Sequence, residues 1–296
     1  MEECHLTAQI LYGKVYAAKF KEEAKQNIDL IKKQYGITPG LAVIIVGENP
    51  ASQVYVRNKH RTCEELGIYS EVVRLPETIT KKELVAKIDE LNFRPEINGI
   101  LLQLPLPDAL SADENEILDT ISPLKDVDGF HPLNVGKLML GQKGMIPCTP
   151  YGCLKMLQEA HIPIDGAHAV IVGRSNIVGK PMAQLLLSRN ATVTVCHSHT
   201  RNLKEICRTA DILVAAVGRP HFITADMIKP GAAVIDVGIN RIAPKKLVGD
   251  VDFENAKEVA GAITPVPGGV GLLTIAMLMH NTVEATKYQL EHPQAK

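Results

Sequence analysis

The feature that most constrains the fold is an alternation of short apolar runs with amphipathic segments along almost the whole chain. LAVIIVG, beginning at Leu41, and GILLQLP, beginning at Gly99, are continuous apolar runs of the kind that is buried on both faces of a parallel sheet. Segments with apolar residues three and four positions apart lie between such runs and predict helices, as from Phe20 to Ile31. Repeated strand–helix–strand units predict parallel sheets with right-handed crossovers, so the predicted fold class is α/β.

The pattern breaks between about Asp119 and Pro150, where the chain is rich in Pro and Gly and has no sustained period. So long an aperiodic stretch is typical of a functional loop or a domain connection, and we interpret it as both. A second α/β series follows, with strands predicted at AHAVIVG, TVTVC, ILVAAVG and AAVIDVG. We therefore predict two domains: residues 1–148 with 273–296, and residues 149–272 as a Rossmann-type domain. The last helix is expected to return to the first domain.

Composition excludes several classes of function. The chain has 32 basic and 33 acidic residues, so it offers no long-range field to nucleic acid or an anionic membrane. Trp is absent and aromatic residues make up 4%, which argues against base-stacking surfaces. Six scattered Cys residues, Cys4 among them, form no C-x-x-C pair and are expected to be reduced thiols of a cytoplasmic protein. No apolar stretch approaches the roughly 20 residues of a membrane helix.

The segment AVIVGRSNIVGKPMAQLLL predicts a strand that ends at Gly173 and a helix that begins near Val178. Gly173 and Gly179 bracket the turn, where missing side chains let a pyrophosphate approach backbone N–H groups at a helix start. The spacing, G-x5-G, is looser than G-x-G-x-x-G and also fits a plain turn without a ligand.

The next predicted strand ends at Cys196 and continues as HSHTR, residues 197–201. NAD-preferring folds place Asp or Glu there to hold the ribose hydroxyls, and this chain has no carboxylate at that point. Hydroxyls, imidazoles and a guanidinium suit a 2′-phosphate, and Arg174 in the first turn adds another guanidinium. The residues therefore favour NADP over NAD. His197 and His199 lack an evident third ligand, so no metal site is expected.

The first domain carries candidate acid/base chemistry. Tyr55 and Lys59 stand four apart on a predicted helix and share one face, which also fits a solvated helix with an amphipathic Tyr. A Lys partly removed from water loses proton affinity and can exchange protons near neutral pH. Gln103 ends the GILLQLP run, at the edge where open α/β sheets bind ligands. Asp126 and Asp128 follow in KDVDG, where either residue could instead cap a turn.

Together these segments resemble one family. NPASQVYVRNK, GILLQLPLP, SPLKDVDGFHPLNVGKL, PCTPYG, GRSNIVGKPMAQLLL and ITPVPGGVG occur in the order in which methylenetetrahydrofolate dehydrogenase/cyclohydrolases carry similar motifs. The resemblance extends from about Gly13 to Tyr288 and is to the compact bacterial-type bifunctional enzyme. It implies that Tyr55 packs along the folate, Lys59 is the central acid/base residue and Gln103 hydrogen-bonds that Lys. It also implies that Asp128 binds the amino-pyrimidine edge of the pterin.

The same resemblance implies contacts to NADP. They map to Gly173, Arg174, Ser175 and Ser198, in agreement with the interpretation of the turn and of the strand that follows it. Ile239, after the strand AAVIDVG, falls where the family's backbone meets the nicotinamide carboxamide.

Folate contacts are also implied at Pro267, Gly268 and Gly269. Here the chain departs from the family pattern P-G-G-V-G-P-M-T, because Leu272 stands in place of a Pro; Thr274 is retained. Losing a Pro frees a backbone angle and restores an N–H, so affinity or the balance of activities is expected to differ.

The implied function is oxidation of 5,10-methylenetetrahydrofolate with NADP, followed by hydrolysis of 5,10-methenyltetrahydrofolate to 10-formyltetrahydrofolate, by a homodimer. The change at Leu272 leaves a monofunctional dehydrogenase as an alternative, which methenyltetrahydrofolate supplied without NADP would distinguish. A shikimate dehydrogenase type would lack the Q-L-P and K-D-V-D-G pair. A nucleotide-sensing module would bind cofactor without turnover. It would not account for the candidate catalytic residues Tyr55, Lys59, Gln103 and Asp128.

Overall fold

A computed structural model of the chain describes residues 8–244 and 246–292, so Cys4 lies outside the described residues. In chain order, the described helices are α1 (Gly13–Tyr35), α2 (Pro50–Leu66), α3 (Lys81–Phe93), α4 (Asp108–Ser111), α5 (Glu114–Leu118), α6 (Pro132–Met139), α7 (Cys148–Glu159), α8 (Gly179–Leu187), α9 (Leu203–Cys207), α10 (Phe253–Ala256) and α11 (Val270–Glu291). The described strands are β1 (Gln9–Ile10), β2 (Gly40–Val46), β3 (Tyr69–Leu75), β4 (Gly99–Leu102), β5 (His168–Val172), β6 (Thr192–Cys196), β7 (Ile212–Ala215), β8 (Ala233–Asp236), β9 (Asn240–Ala243), β10 (Lys246–Val248) and β11 (Ala262–Ile263).

The described residues form two compact units. Residues 19–148 and 275–292 make the three-stranded unit, whose parallel sheet has the order β3-β2-β4. Residues 8–18 and 149–274 make the six-stranded unit, with the order β1-β11-β8-β7-β5-β6 and parallel pairing throughout. Strands β9 and β10 form a separate antiparallel pair. The predicted fold class, two α/β domains with parallel sheets, is confirmed.

In the three-stranded unit, every residue of the central strand β2 is buried, as its continuous apolar run predicts. Polar side chains of α11 hold the loops on that sheet. Asn281 Nδ2 donates to the Val127 and Ile146 carbonyls, both at 2.8 Å. Gln289 Nε2 donates to the carbonyls of Asn98 and Leu124, both at 2.9 Å. These buried contacts attach the last helix from Ile275 onwards to the three-stranded unit.

Residues 8–18 belong to the six-stranded unit, whereas the sequence analysis placed residues 1–148 together in the other domain. Strand β1 pairs with β11, Gln9 opposite Ala262, and the Gly13 N–H donates to the Gly268 carbonyl at 2.8 Å. A Cβ on Gly13 would lie 2.0 Å from the Gly269 carbonyl oxygen, so the chain passes too close for any side chain. A two-residue strand leaves no periodic signal, which is why the sequence did not indicate this pairing.

The stretch from Asp119 to Pro150, predicted to be aperiodic, contains helix α6. The helix begins at Pro132, and the His131 ring nitrogen Nδ1 accepts the Leu133 N–H at 3.1 Å. Its buried residue is the polar Asn134, while apolar side chains such as Met139 are 61% exposed. Burial is thus the reverse of the usual amphipathic pattern, and the prediction of an irregular loop was wrong for these residues.

The five described Cys residues are free and buried. Across the described parts of the chain, no helix combines the length and the apolar character needed to cross a membrane.

Candidate active site

Helix α2 positions Lys59 and Tyr55 on one face. Asn49 Oδ1 accepts the N–H groups of Ala51 and Ser52 at its start, and Gly67 ends it in the left-handed region at φ 77°. Lys59 is buried, with 8% of its surface exposed, and Tyr55 is half-buried. The alternative of a solvated face is therefore excluded for the Lys.

Gln103 is held so that its carbonyl oxygen meets the Lys. Directly after β4, its backbone N–H donates to the Ile44 carbonyl at 2.8 Å, which continues the sheet by one residue. Its side-chain Nε2 donates to the Leu104 carbonyl at 2.7 Å. The remaining oxygen, Oε1, accepts a hydrogen bond from Lys59 Nζ at 2.9 Å. The structure thus joins two groups that are 44 residues apart in the chain.

Burial dominates the electrostatics of this cluster. It lowers the pKa of Lys59, and the charge of Asp128 opposes the shift. Burial also raises the pKa of Asp128 to about 6, although part of that residue stays accessible, and the Lys59 ammonium opposes the rise. The amine and the carboxyl therefore both titrate closer to neutrality than in water.

The two carboxylates of KDVDG have different surroundings. Asp126 is buried and accepts the N–H groups of Phe130 at 3.3 Å and His131 at 2.9 Å, and Asn134 Nδ2 at 2.9 Å. It therefore holds the turn in shape. Asp128 is the carboxylate that interacts with Lys59.

In the six-stranded unit, the turn after β5 admits only glycine at two positions. Gly173 has φ 132°, and a Cβ there would lie 2.2 Å from the Ala216 carbonyl oxygen. A Cβ on Gly179 would lie 2.2 Å from the Gly173 carbonyl oxygen. Ser175 Oγ accepts the N–H groups of Val178 at 3.1 Å and Gly179 at 3.3 Å, which caps helix α8. The turn has the close strand–helix approach that dinucleotide-binding folds require.

The predicted 2′-phosphate residues lie at the same sheet edge. Strands β5 and β6 pair with Val172 opposite Cys196, so Arg174 and Ser198, both exposed, follow neighbouring strand ends. The His197 N–H donates to Thr200 Oγ1 at 2.8 Å, which fixes the loop. The imidazole of His197 accepts the His199 N–H at 3.2 Å through Nδ1, a local role that needs no metal.

The glycine-rich segment near the end of the chain lies beside Ile239 within the six-stranded unit. Gly268 has φ 106°, and a Cβ on Gly269 would lie 2.5 Å from the Pro265 carbonyl oxygen. A Cβ on Gly271 would lie 3.6 Å from Ile239 Cδ1. The implied folate loop and the implied nicotinamide contact are thus neighbours.

Pro267 and Leu272, on either side of these glycines, are both exposed. The Leu272 N–H, which a Pro would lack, donates to the Gly269 carbonyl at 3.4 Å. The departure from the family pattern therefore adds one long hydrogen bond to the first turn of α11.

The sequence reasoning missed three groups. The buried Cys148 thiol donates to the Val127 carbonyl at 3.3 Å, and burial, with the charge of Asp128, raises its pKa well above the usual value. Asp236 and Asp250, in the six-stranded unit, are also buried. Burial raises the pKa of Asp236 to about 7, although the hydrogen bonds that its carboxylate accepts from backbone N–H groups lower that pKa. An Asp inside the apolar run AAVIDVG was a usable signal, because a buried carboxylate is costly without partners.

Two family models match the chain. The model for the catalytic domain of tetrahydrofolate dehydrogenase/cyclohydrolase covers residues 11–128, and the model for the NAD(P)-binding domain of the same family covers residues 147–290. The chain belongs to the tetrahydrofolate dehydrogenase/cyclohydrolase family.

Individual relatives of this tetrahydrofolate dehydrogenase/cyclohydrolase support the same family assignment. A bifunctional protein FolD from Moorella thermoacetica is 61% identical over 95% of this chain and 100% of its own length. The one from Bacillus cytotoxicus is 56% identical over 95% of this chain and 98% of its own.

Solved structures give the same result. A bifunctional FolD from Campylobacter jejuni has a TM-score of 0.92 at 50% identity, covering 95% of this chain and 99% of its own. A Trypanosoma brucei dehydrogenase–cyclohydrolase, solved with NADP cofactor and an inhibitor, has a TM-score of 0.92 at 38% identity, covering 96% and 98%. The chain is thus a methylenetetrahydrofolate dehydrogenase and methenyltetrahydrofolate cyclohydrolase that uses NADP, and the monofunctional alternative is not favoured.

Proposed function

We propose that Lys59, Gln103, Asp128 and Tyr55 carry both activities of this tetrahydrofolate dehydrogenase/cyclohydrolase. The observation that supports this most directly is the 2.9 Å hydrogen bond from Lys59 Nζ to Gln103 Oε1. The amine in that contact is buried and its pKa is lowered. A fixed amine of reduced basicity is the group that general acid/base catalysis near neutral pH needs.

The turn after β5 and the loop after β6 fit NADP. Gly173 and Gly179 leave no side chain between a pyrophosphate and the backbone at the start of α8. Arg174, Ser175 and Ser198 are exposed at that edge, where we propose that they bind the dinucleotide and its 2′-phosphate. We propose that the backbone at Ile239, next to Gly271, meets the nicotinamide carboxamide.

In the oxidation, NADP⁺ supplies the acceptor for the hydride that leaves the methylene carbon bridging N5 and N10. The protein contributes orientation. We propose that Asp128 accepts hydrogen bonds from the amino-pyrimidine edge and that the Tyr55 ring packs along the pterin. Pro267, Gly268 and Gly269 are proposed to complete the folate contacts. Correct alignment of two reactants is worth up to about 7–11 kcal/mol.

In the hydrolysis, a water oxygen forms a bond to the methenyl carbon while neutral Lys59 takes one water proton. The bond from that carbon to N5 then breaks, N5 receives a proton, and the new hydroxyl loses its proton to leave the formyl group on N10. One proton is released overall. Gln103 accepts an N–H of Lys59, which fixes the position of the amine, and we propose that the amine lone pair is left available to the water.

Two properties are proposed from the family alone. We propose that the protein is a homodimer and that it acts in the cytoplasm, in one-carbon metabolism. Sedimentation of the purified protein tests the first, since a single species of monomer mass would contradict it. Fractionation of source cells tests the second.

Replacement of Lys59 by Met tests the mechanism. The variant should lose cyclohydrolase turnover, followed as the decay of methenyltetrahydrofolate absorbance without NADP. The matched control is Arg57→Met, which removes an exposed basic residue from the same helix and should keep wild-type turnover. Undiminished hydrolysis by the Lys59 variant would remove that amine from the mechanism.

Cofactor preference is tested by oxidation of methylenetetrahydrofolate with NADP⁺ and NAD⁺ side by side. A higher kcat/KM with NADP⁺ is expected, because residues 197–201 carry cationic and hydroxyl groups and no carboxylate. Equal values would contradict the proposed 2′-phosphate contacts.

A further inference from the structure

Two buried carboxylates, Asp236 and Asp250, take no part in the mechanism proposed above. Asp236 ends strand β8 and is 2% exposed. Its Oδ1 accepts the N–H groups of Gly238 and Asp250, and its Oδ2 accepts the N–H of Val251, each at 2.9 Å. The Asp236 N–H itself donates to Thr264 Oγ1 at 2.7 Å. The residue thus ties the loop after β8 to the segment before α10.

Asp250 continues the network. It is fully buried, and its Oδ2 accepts the N–H groups of Val217 at 2.6 Å and Gly218 at 2.9 Å. Its Oδ1 accepts the Arg219 N–H at 2.8 Å and Asn240 Nδ2 at 2.9 Å. The residue therefore holds both the loop after β7 and the start of β9, where the loop after β8 ends.

Both carboxylates fill space that another side chain would take. A Cβ on Gly238 would lie 2.2 Å from Asp250 Oδ1, and a Cβ on Gly249 would lie 1.8 Å from Asp236 Oδ2. The two glycines and the two carboxylates therefore fit only as a set.

Within residues 8–244 and 246–292, the hydrogen-bond donors to these carboxylates are N–H groups of the backbone or of an Asn side chain, and none is a cation. Burying carboxylates is costly, and an apolar cluster would stabilise the core with less desolvation. What the carboxylates provide instead is a fixed backbone conformation. Strands β7 and β8 are neighbours, so both loops lie at the carboxyl edge, where open α/β sheets bind ligands. Ile239 lies between Gly238 and Asn240, each bound by one of the carboxylates.

We infer that Asp236 and Asp250 are positioning residues for the dehydrogenase reaction, which fix the backbone at Gly218 and Ile239 for the nicotinamide end of NADP. The inference rests on the proposed function, because it takes Ile239 as the carboxamide contact. It predicts that the network matters for NADP binding and hydride transfer and not for hydrolysis of methenyltetrahydrofolate.

The test compares Asp250→Asn with the control Asp226→Asn, which removes an exposed carboxylate paired with Lys204 in the same unit. Calorimetric titration with NADP⁺ should show affinity reduced about 10- to 100-fold in Asp250→Asn, since an amide replaces a charged acceptor of several N–H groups. Amide hydrogen exchange should accelerate in a peptide covering residues 217–219 and stay unchanged in one covering β5. Cyclohydrolase turnover without NADP should remain within about twofold of wild type, as in the control.

A second variant keeps the test decisive if Asp250→Asn does not fold. Thr264→Val preserves the shape of the side chain and removes only the acceptor of the Asp236 N–H, so a smaller loss of NADP affinity, about 3- to 10-fold, is expected.

Two results would overturn the inference: unchanged NADP affinity in both variants, or equal loss of both activities in any folded variant. The second would make the network a general support of the fold. A wild-type protein without either activity would instead refute the proposed function, while the exchange measurement would still report on the carboxylates.

Discussion

The Lys59–Gln103 hydrogen bond makes a quantitative prediction about pH dependence. Gln103→Leu removes the oxygen that accepts from Lys59 Nζ at 2.9 Å. A hydrogen bond to a charged group contributes about 1.5–3 kcal/mol, and one pKa unit corresponds to about 1.4 kcal/mol. Because the bond to the ammonium form is stronger than the one that the neutral amine makes to the same oxygen, the pKa of Lys59 should fall further, with the energy of the charged bond as the upper limit of the change. Gln103→Glu places a carboxylate at the same point and should raise that pKa.

The assay is the pH profile of kcat for hydrolysis of methenyltetrahydrofolate without NADP, corrected for the uncatalysed reaction. If neutral Lys59 is the base, activity falls as pH drops through its pKa. The acid limb should therefore move to lower pH in Gln103→Leu and to higher pH in Gln103→Glu. Gln26→Leu changes an exposed glutamine on α1 and should leave the profile unaltered. Shifts of the same sign in the two Gln103 variants, or no shift in either, would refute this account of the base.

Four further predictions concern other residues of the two units. Gly179→Ala should destabilise the protein by about 1–3 kcal/mol and weaken NADP binding, because its Cβ would lie 2.2 Å from the Gly173 carbonyl oxygen. Gly136→Ala should instead stabilise the protein by about 0.5–1 kcal/mol, because Gly136 lies in helix α6 and a Cβ there would meet open space. Thermal unfolding measures both changes. Burial raises the pKa of Asp128 to about 6. The KM for methylenetetrahydrofolate should therefore rise below that pH, because the carboxylate is protonated there. This pH dependence of KM should vanish in Asp128→Asn. Arg174→Gln should lower kcat/KM with NADP⁺ by about 10-fold and change the value with NAD⁺ little; equal losses would contradict a 2′-phosphate contact.

Local sequence signals predicted much of the fold because their physical causes are local. The apolar run of β2 specified its strand without help from distant residues, and the structure shows a local signal of the same kind in the Thr80–Glu83 capping box of α3. Helix α6 was missed because it buries Asn134 and exposes its apolar side chains. Strands β1 and β11 were missed because two residues show no period, and their pairing depends on contacts across the whole chain.

The candidate site was predictable to a different degree in each unit. The glycines around Arg174 could be placed from spacing and from the known needs of a pyrophosphate. The hydrogen bond between Lys59 and Gln103 was implied by the family resemblance and not by spacing, because a helix pattern fixes a face and not the depth to which that face is buried. Asp236 and Asp250 function through backbone N–H groups, which every residue but Pro possesses, so no residue pattern marks their partners.

The pairing of β1 with β11 has a consequence for synthesis on the ribosome. One unit takes its edge strand from residues 9–10 and that strand's partner from residues 262–263, while the other needs Gln289 to bond Asn98. The first is therefore incomplete until residue 263 has emerged, and the second until residue 289 has emerged. We expect a nascent chain halted near residue 250 to remain protease-sensitive in both units, and release of the residues that follow, through residue 289, to bring protection to both.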